Sequence, residues 1–339
     1  MILQKLKTGL TGDFLNPSGY FFVGWLLIYV LVAFAFGLRE HRRKGKASFS
    51  IRDAWAFCFP RSAYGGDSAK LDYQLLFFCH YLLFVALGLF SAFSQEERIA
   101  AALSPYIQSA ISPILDVPIP VTNGFWIDLI YTVAVCLARD LATMLQHLAS
   151  HRFPFLWRFH QLHHSATGLN AFTLLRVHPV DRLTHILSGA LGVGVVMGLF
   201  GTLFDYMPSL VLFANIALLF VVSRTFAIFR HSHVWIAFGP RLSRVLCSPA
   251  MHQIHHSIEE RHHGKNFAHV FSIWDYFLGT LYVPKERETL QYGLDYEDPG
   301  NRKYDSFFEN LLGPFLSDSF YQRWKDGDRV QVARVERPS

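Results

Sequence analysis

The chain has 339 residues, of which 51% are hydrophobic, 16% aromatic and only 17% charged, with a formal net charge of +5. A charged share well under the roughly 25% of ordinary soluble domains points to a surface that meets lipid. No basic face on a soluble domain accompanies the net charge, which argues against a nucleic-acid-binding protein, and Cys58, Cys79, Cys136 and Cys247 form no Cys-x-x-Cys pair, which argues against a disulfide frame or a thiolate metal site.

Five stretches approach the roughly 20 residues needed to cross a hydrocarbon core. Residues 20–38 carry no charge, are too long for the core of a signal peptide and lack a small-residue cleavage pattern, so they are read as a retained helix. Residues 73–93 are uncharged but include Gln74 and His80, and residues 125–146 carry Asp128, Arg139 and Asp140. Residues 183–204 and 209–229 form a hairpin whose turn holds Asp205 and Pro208, with Arg224 placed to snorkel to the interface. The expected count is four or five crossings.

Loop charge orients these spans. Arg39, Arg42, Arg43, Lys44, Lys46, Arg52, Arg61 and Lys70 lie between the first two, opposed by Glu40, Asp53 and Asp67, whereas the loop over 94–123 has only Arg98. The first loop is therefore expected on the cytoplasmic side. Five crossings then put the amino terminus outside and bring both 147–182 and everything after 230 to the cytoplasmic side. The expected fold is an all-α integral membrane protein with a helical cytoplasmic cap.

That side carries the histidines. His147 and His151 form one cluster, and His160, His163 and His164, then His252, His255 and His256, repeat the spacing His-x-x-His-His. Imidazoles at i, i+3 and i+4 share a helix face, so each repeat reads as a ridge of ligands for one metal site. Imidazole suits zinc, copper, iron and nickel, and a catalytic zinc needs only about three ligands. Eight or more converging imidazoles without thiolate point to two metal ions, with a binuclear non-haem iron centre leading.

Several motifs resemble the fatty acid hydroxylase and sterol desaturase superfamily. They are Arg139-Asp140, Gln146-His147, His151-Arg152 and the run from Trp157 through His160, His163 and His164 to Ser165, followed by His178-Pro179 with Asp181, Ser248-Pro249 with His252, His255 and His256, Asn266-Phe267, Trp274-Asp275 and Gly279-Thr280. The resemblance implies a catalytic domain over 62–285, preceded by an anchor helix and basic loop over 1–61 and followed by a polar tail over 286–339. It implies a multi-pass inner-membrane oxygenase with two iron ions and dioxygen as co-substrate, acting on a membrane lipid. Members use eight to ten histidines, so the resemblance adds His231 to the eight, with His178 and His233 as further candidates. Asp140 lies seven residues before His147, on the same helical stripe, where it would accept a ring proton from a ligand or pair with a neighbouring base such as Arg139. Asn266 and Asp275 are candidates of the same kind. His41, His80, His185, His262, His263 and His269 are assigned to solvent contact or ordinary packing.

Unactivated C–H bonds offer no acid or base handle, so their oxidation requires an oxidant generated from dioxygen. Hydroxylation is the favoured outcome and desaturation the alternative. No dinucleotide-binding turn, ferredoxin cysteine set or haem domain accompanies the motifs, so a separate ferredoxin, cytochrome or reductase is expected, docking near Lys285, Arg287, Arg302 and Lys303. A metal transporter would need ionisable groups along a path at mid-membrane, and a membrane zinc hydrolase would carry His-Glu-x-x-His, which does not occur.

Overall fold

A computed structural model describes residues 23–45, 49–79, 96–114, 118–206, 208 and 226–322. Apart from two isolated bridges, the regular structure among them is helical. The chain divides into two compact units, Met1–Asp295 and Tyr296–Ser339.

Helix α1 (Val23–Arg43) is apolar on both faces but uses them differently. Trp25, Tyr29, Ala33 and Gly37, spaced four apart, are buried, while Val23, Leu27, Leu31 and Phe34 on the other side are exposed. The buried row packs with Cys58, Ala171, Ile228, Phe229 and Val234, and Tyr29 meets Phe229 at 5.0 Å between ring centroids. Three short helices follow, α2 (Ile51–Cys58), α3 (Arg61–Tyr64) and α4 (Asp67–Leu75), the first started by a reciprocal Ser50–Asp53 cap. The expected span over 73–93 begins in α4 and a π-helical turn over 76–79, and the rest of it lies outside the described residues.

Helix α5 (Glu96–Ile111) occupies the segment read from sequence as a plain external loop. It lies along α8 (Pro179–Leu203), where Gly194 faces Ala100 and Leu103 and Gly198 faces Ser104 and Ile107. Its stripe of small residues, with Pro105 inside it, is too short and too weakly apolar for a hydropathy reading, so only packing reveals it. Helix α6 (Gly124–Arg152) packs on the opposite side of α8. Its 29 residues reach about 43 Å at 1.5 Å per residue, more than a hydrocarbon core needs, so the last turns, with His147 and His151, extend past that depth.

The far ends of α6 and α8 are tied together. Ile119 bridges to Phe204, the Val121 amide donates to Asp205, and the Tyr206 hydroxyl donates to Asp128 near the start of α6. The start of α8 therefore lies at the histidine end of α6. By length and composition, α1 and α8 are apolar enough to cross a membrane. The expected third span falls inside α6, and of the fifth only 226–229 is described.

Proline sets where the remaining helices begin. Pro154 lacks an amide hydrogen and keeps Phe153 extended, which ends α6 and starts α7 (Pro154–His164) after a sharp turn. Pro179 opens α8 and Pro249 opens α9 (Pro249–His255) in the same way. Helix α10 (Ile273–Leu278) closes on Gly279, whose φ of 72° favours glycine.

In the second unit, α11 (Phe307–Leu312) packs beside a buried Arg302 that donates to the carbonyls of Gly313 and Leu316 and pairs with Asp318. Arg302 is thus part of that unit's interior and does not serve as the surface docking charge expected from sequence. Arg287, by contrast, is exposed and pairs with Glu40 at 3.0 Å.

Close approach of α6 and α8 rests on Gly192, where an added Cβ would lie 2.6 Å from the backbone oxygen of Ala138. Gly192→Ala should therefore push the helices apart at a cost of about 1–3 kcal/mol. The check is the thermal midpoint of the purified protein in detergent, which should fall by several degrees; an unchanged midpoint would contradict the packing.

Candidate metal centre

Nine histidine side chains come together where α6, α7 and α9 meet. They form two sets, each with ligand atoms within 4.8 Å of one another: His147, His151, His160, His164 and His255, and His163, His231, His252 and His256. Each His-x-x-His-His repeat divides between them. Helix α7 gives His160 and His164 to the first set and His163 to the second, while α9 and its cap give His252 and His256 to the second and His255 to the first. Residues i and i+4 differ by about 40° around a helix, but i+3 points about 100° away from i+4, so one repeat serves two sites. The single-site ridge expected from the spacing is replaced by two interlocked sets. His164 and His256, from different sets, stack at 4.5 Å with planes 26° apart.

The outward-facing ring atoms define the inward-facing ones. Nδ1 of His147 lies 2.8 Å from the Phe267 carbonyl, that of His255 2.8 Å from the Lys265 carbonyl, and that of His160 2.9 Å from the Asp181 carboxylate. Each contact calls for a hydrogen on Nδ1, which leaves Nε2 as a bare lone pair. Nε2 of His147, His151, His160, His164 and His255 is buried without a hydrogen-bond partner. In the second set, Nδ1 of His163 faces the Arg176 carbonyl and that of His231 faces the Ala227 carbonyl, while their Nε2 atoms lie 3.1 Å apart. Two lone pairs at that distance repel unless a cation sits between them. The donor set fits a metal ion in each group, all ligands being imidazole.

Burial reinforces this. Loss of water, followed by neighbouring imidazoles, holds His163, His164, His252 and His256 well below the ordinary value of 6.5. Burial pushes His231 and His255 down to about 3. The rings stay neutral and able to ligate at physiological pH. Phe267 covers His147, His151 and His255, with ring centroids 5.2–5.7 Å away, and Trp157 covers His151 and His164.

The supporting residues differ from those anticipated. Asp140 contacts no ligand histidine: it accepts from the amides of Val270 and Phe271 and from the Trp274 indole, tying α6 to the 270–271 turn. Asp275 accepts from the amides of Phe267 and Ala268, and so fixes the loop whose Phe267 carbonyl orients His147. Asn266, with φ of 58°, clamps Met251 and Tyr282 backbones. His178 accepts from the Val180 amide and caps α8, and His233 packs edge-on against Phe57; both lie outside the two sets. His262 contacts Glu288, and His263 the Ile258 carbonyl.

Asp181 and the Arg176–Asp72 pair were not anticipated in these roles. Arg176 is buried, bonds Asp72 at 2.9 Å, donates to the Leu162 carbonyl near the end of α7, and offers its own carbonyl to His163. Asp72 also accepts from Asn170 and Thr173. Asp181 stands in the quoted His178-Pro179 motif, which marks its position but not its partner. Asp72 carries no local signal at all.

A cavity of about 510 Å³ opens beside the sets, lined by His147, His160, His163, His231 and His252. His269 lies tilted against His147 and edge-on to His185 at its wall.

Comparison with known proteins matches residues 132–280 to the fatty acid hydroxylase family, a stretch that holds all nine histidines. Over these residues the chain is similar to the fatty acid hydroxylase family. The chain is similar to ornithine lipid hydroxylase OlsE of Rhizobium tropici, 25% identical over 222 residues, covering 64% of this chain and 61% of that protein. Alkylglycerol monooxygenases from Homo sapiens and Danio rerio are 27% and 26% identical over 44% and 47% of this chain, but only 29% and 31% of their own lengths. This chain therefore matches less than two thirds of each of these relatives. No solved structure gives a significant match.

Because the folded state holds these rings neutral while an unfolded chain takes protons near 6.5, stability is fully present above that value and is lost as pH falls toward 3. The chelator-treated protein should show a thermal midpoint that drops from about pH 6.5 downward, above the range where carboxylates titrate. A midpoint flat from about pH 7.5 to about pH 5 would contradict the buried neutral cluster.

Proposed function

We propose that this protein is a multi-pass membrane oxygenase that holds two iron ions in its histidine sets and hydroxylates a membrane lipid. The observation that carries the reading is the pair of interlocked sets, with bare Nε2 lone pairs converging in each. Iron held there supplies the reduction of dioxygen, so that one C–H bond, one dioxygen, two electrons and two protons give one alcohol and one water. The chain's residues supply geometry and exclusion of water. Asp181, Arg176 and the Phe267 loop hold the rings in place, and Phe267 and Trp157 shut solvent from one side.

Exposed apolar rows on α1 and α8, including Leu187, Leu191 and Val195, suit contact with lipid chains. The shared end of α6 and α8 supports five crossings with all histidines on the cytoplasmic side, where a separate electron donor has access. The hydroxylase and monooxygenase names of the relatives favour oxygen insertion over desaturation. A lipid headgroup, an ether lipid and an acyl chain all remain within this substrate class.

Lipid mass spectrometry of a host with and without the gene should reveal a species gaining one oxygen, and His163→Ala should abolish it while the protein stays in the membrane. A species losing two hydrogens would replace hydroxylation by desaturation. Metal uptake into vesicles with no dioxygen consumed would overturn the enzyme reading.

A further inference from the structure

We infer that residues 241–245 and helix α10 form one face that lies in the headgroup layer on the histidine side of the membrane. Leu242, Val245, Tyr276, Phe277 and Leu278 dip toward the acyl chains there, and Arg241 and Arg244 meet anionic lipid phosphates. The inference rests on the reading of the chain as membrane-embedded, and it adds an in-plane attachment beside the crossing helices.

The two segments are stitched together. The Ser272 hydroxyl donates to the Ser243 carbonyl at 2.8 Å and the Cys247 amide to the Val270 carbonyl at 2.8 Å, while Pro240, Arg244, Tyr276 and Gly279 line one groove. Around that groove Phe277 is 72% exposed and Tyr276 57%, and Leu242, Val245 and Leu278 are each about half exposed. The other side of α10 is taken up: Asp275 accepts from the amides of Phe267 and Ala268, and the Trp274 indole donates to Asp140. Residues 276–278 are therefore turned outward as a consecutive apolar run. A cluster of this kind is what a water-facing surface avoids.

Two independent ties set the depth of the face. Asp140 accepts from the amides of Val270 and Phe271, just ahead of α10, and lies about 24 Å along α6 from Gly124, close to where a hydrocarbon core of about 30 Å ends. Residues 241–245 are fastened at a span end as well. The Ser243 hydroxyl donates to the Phe238 carbonyl at 3.0 Å, and the Phe238 ring lies 5.2 Å from that of Phe226, in the last turns of the final expected span. The exposed rings and aliphatic groups are thus held at the level of lipid headgroups. Arg241 and Arg244 are exposed beside them and make no ion pair among the described residues. Apolar and aromatic side chains next to arginines at that level match an anionic lipid surface: the rings enter the boundary of the acyl chains and the guanidinium groups stay with the phosphates. His269 and Val270, which precede α10 directly, line the cavity beside the histidine sets. The face consequently forms a rim of that cavity and opens it toward the leaflet.

The test uses the full-length protein in nanodiscs of phosphatidylcholine with or without phosphatidylglycerol, spin-labelled in turn at Phe277→Cys, Leu242→Cys and, on α8, Leu191→Cys. The signal of the protein without an introduced cysteine is subtracted. Power saturation with oxygen, which concentrates among acyl chains, and with a nickel chelate, which stays in water, reads the depth of each label. Labels at 277 and 242 should sit about 5–10 Å below the phosphates. Arg241→Gln combined with Arg244→Gln should raise both toward water in the discs with phosphatidylglycerol and leave the label at 191 where it was. Nickel contact at 277 and 242 alongside oxygen contact at 191 would overturn the inference and keep the crossing helices, whereas nickel contact at all three would remove the membrane reading itself. Spin–spin broadening at 277, with neither reagent reaching the label, would put a second copy of the chain in place of lipid. Depths indifferent to the loss of both arginines would overturn the anionic contact.

Discussion

Ring nitrogens that donate outward to carbonyls and a carboxylate leave their opposite lone pairs aimed inward at one another, and this is the constraint that organises the domain. Each buried polar atom without a partner costs about 1–3 kcal/mol, and the five-histidine set alone holds five such Nε2 atoms. In the other set, two lone pairs approach to 3.1 Å. A metal ion in each set would convert these costs into coordination bonds and make metal binding part of the folding free energy. The outer partners follow from the same need. Phe267, Lys265, Arg176 and Ala227 offer carbonyls, Asp181 offers a carboxylate, and each presents an acceptor that fixes a tautomer.

The fold reads as a means of bringing those rings to one level. Prolines at the start of α7, α8 and α9 turn the chain sharply at the histidine end, and glycines in α8 let α5 and α6 approach closely along its two sides. A long α6 carries His147 and His151 past its apolar part. The buried Arg176–Asp72 pair then locks the end of α7 against α4; removing one partner of such a pair leaves a charge uncompensated in the interior.

Much of the site was legible in the sequence because ligand chemistry leaves a periodic trace. The nine histidines assigned there as ligands lie in the two sets, while His178 and His233 do not, and eight of the nine fall at helical spacings that chance rarely repeats. His231 was reachable only through family resemblance, since it has no partner at helical spacing among the nine. The division of each repeat between two sites was not legible, because spacing gives direction on one helix and not which neighbouring helix stands opposite. Asp140 and Asp275 were noticed for their charge, yet they hold backbone amides, a role that depends on loops packed more than 100 residues away for Asp140. Helix α5 escaped hydropathy because it is short and only weakly apolar, and its contact with α8 is made against the glycines of that helix. Asp72 and Arg176 are 104 positions apart, and nothing local joins them.

The central claim is that imidazoles alone hold a pair of irons in this domain. Iron K-edge X-ray absorption on the purified protein, combined with metal analysis, tests it most directly. The expected result is about two irons per chain, a nitrogen-dominated coordination shell and scattering from a second metal. One metal per chain, or a shell of sulfur, would contradict the account.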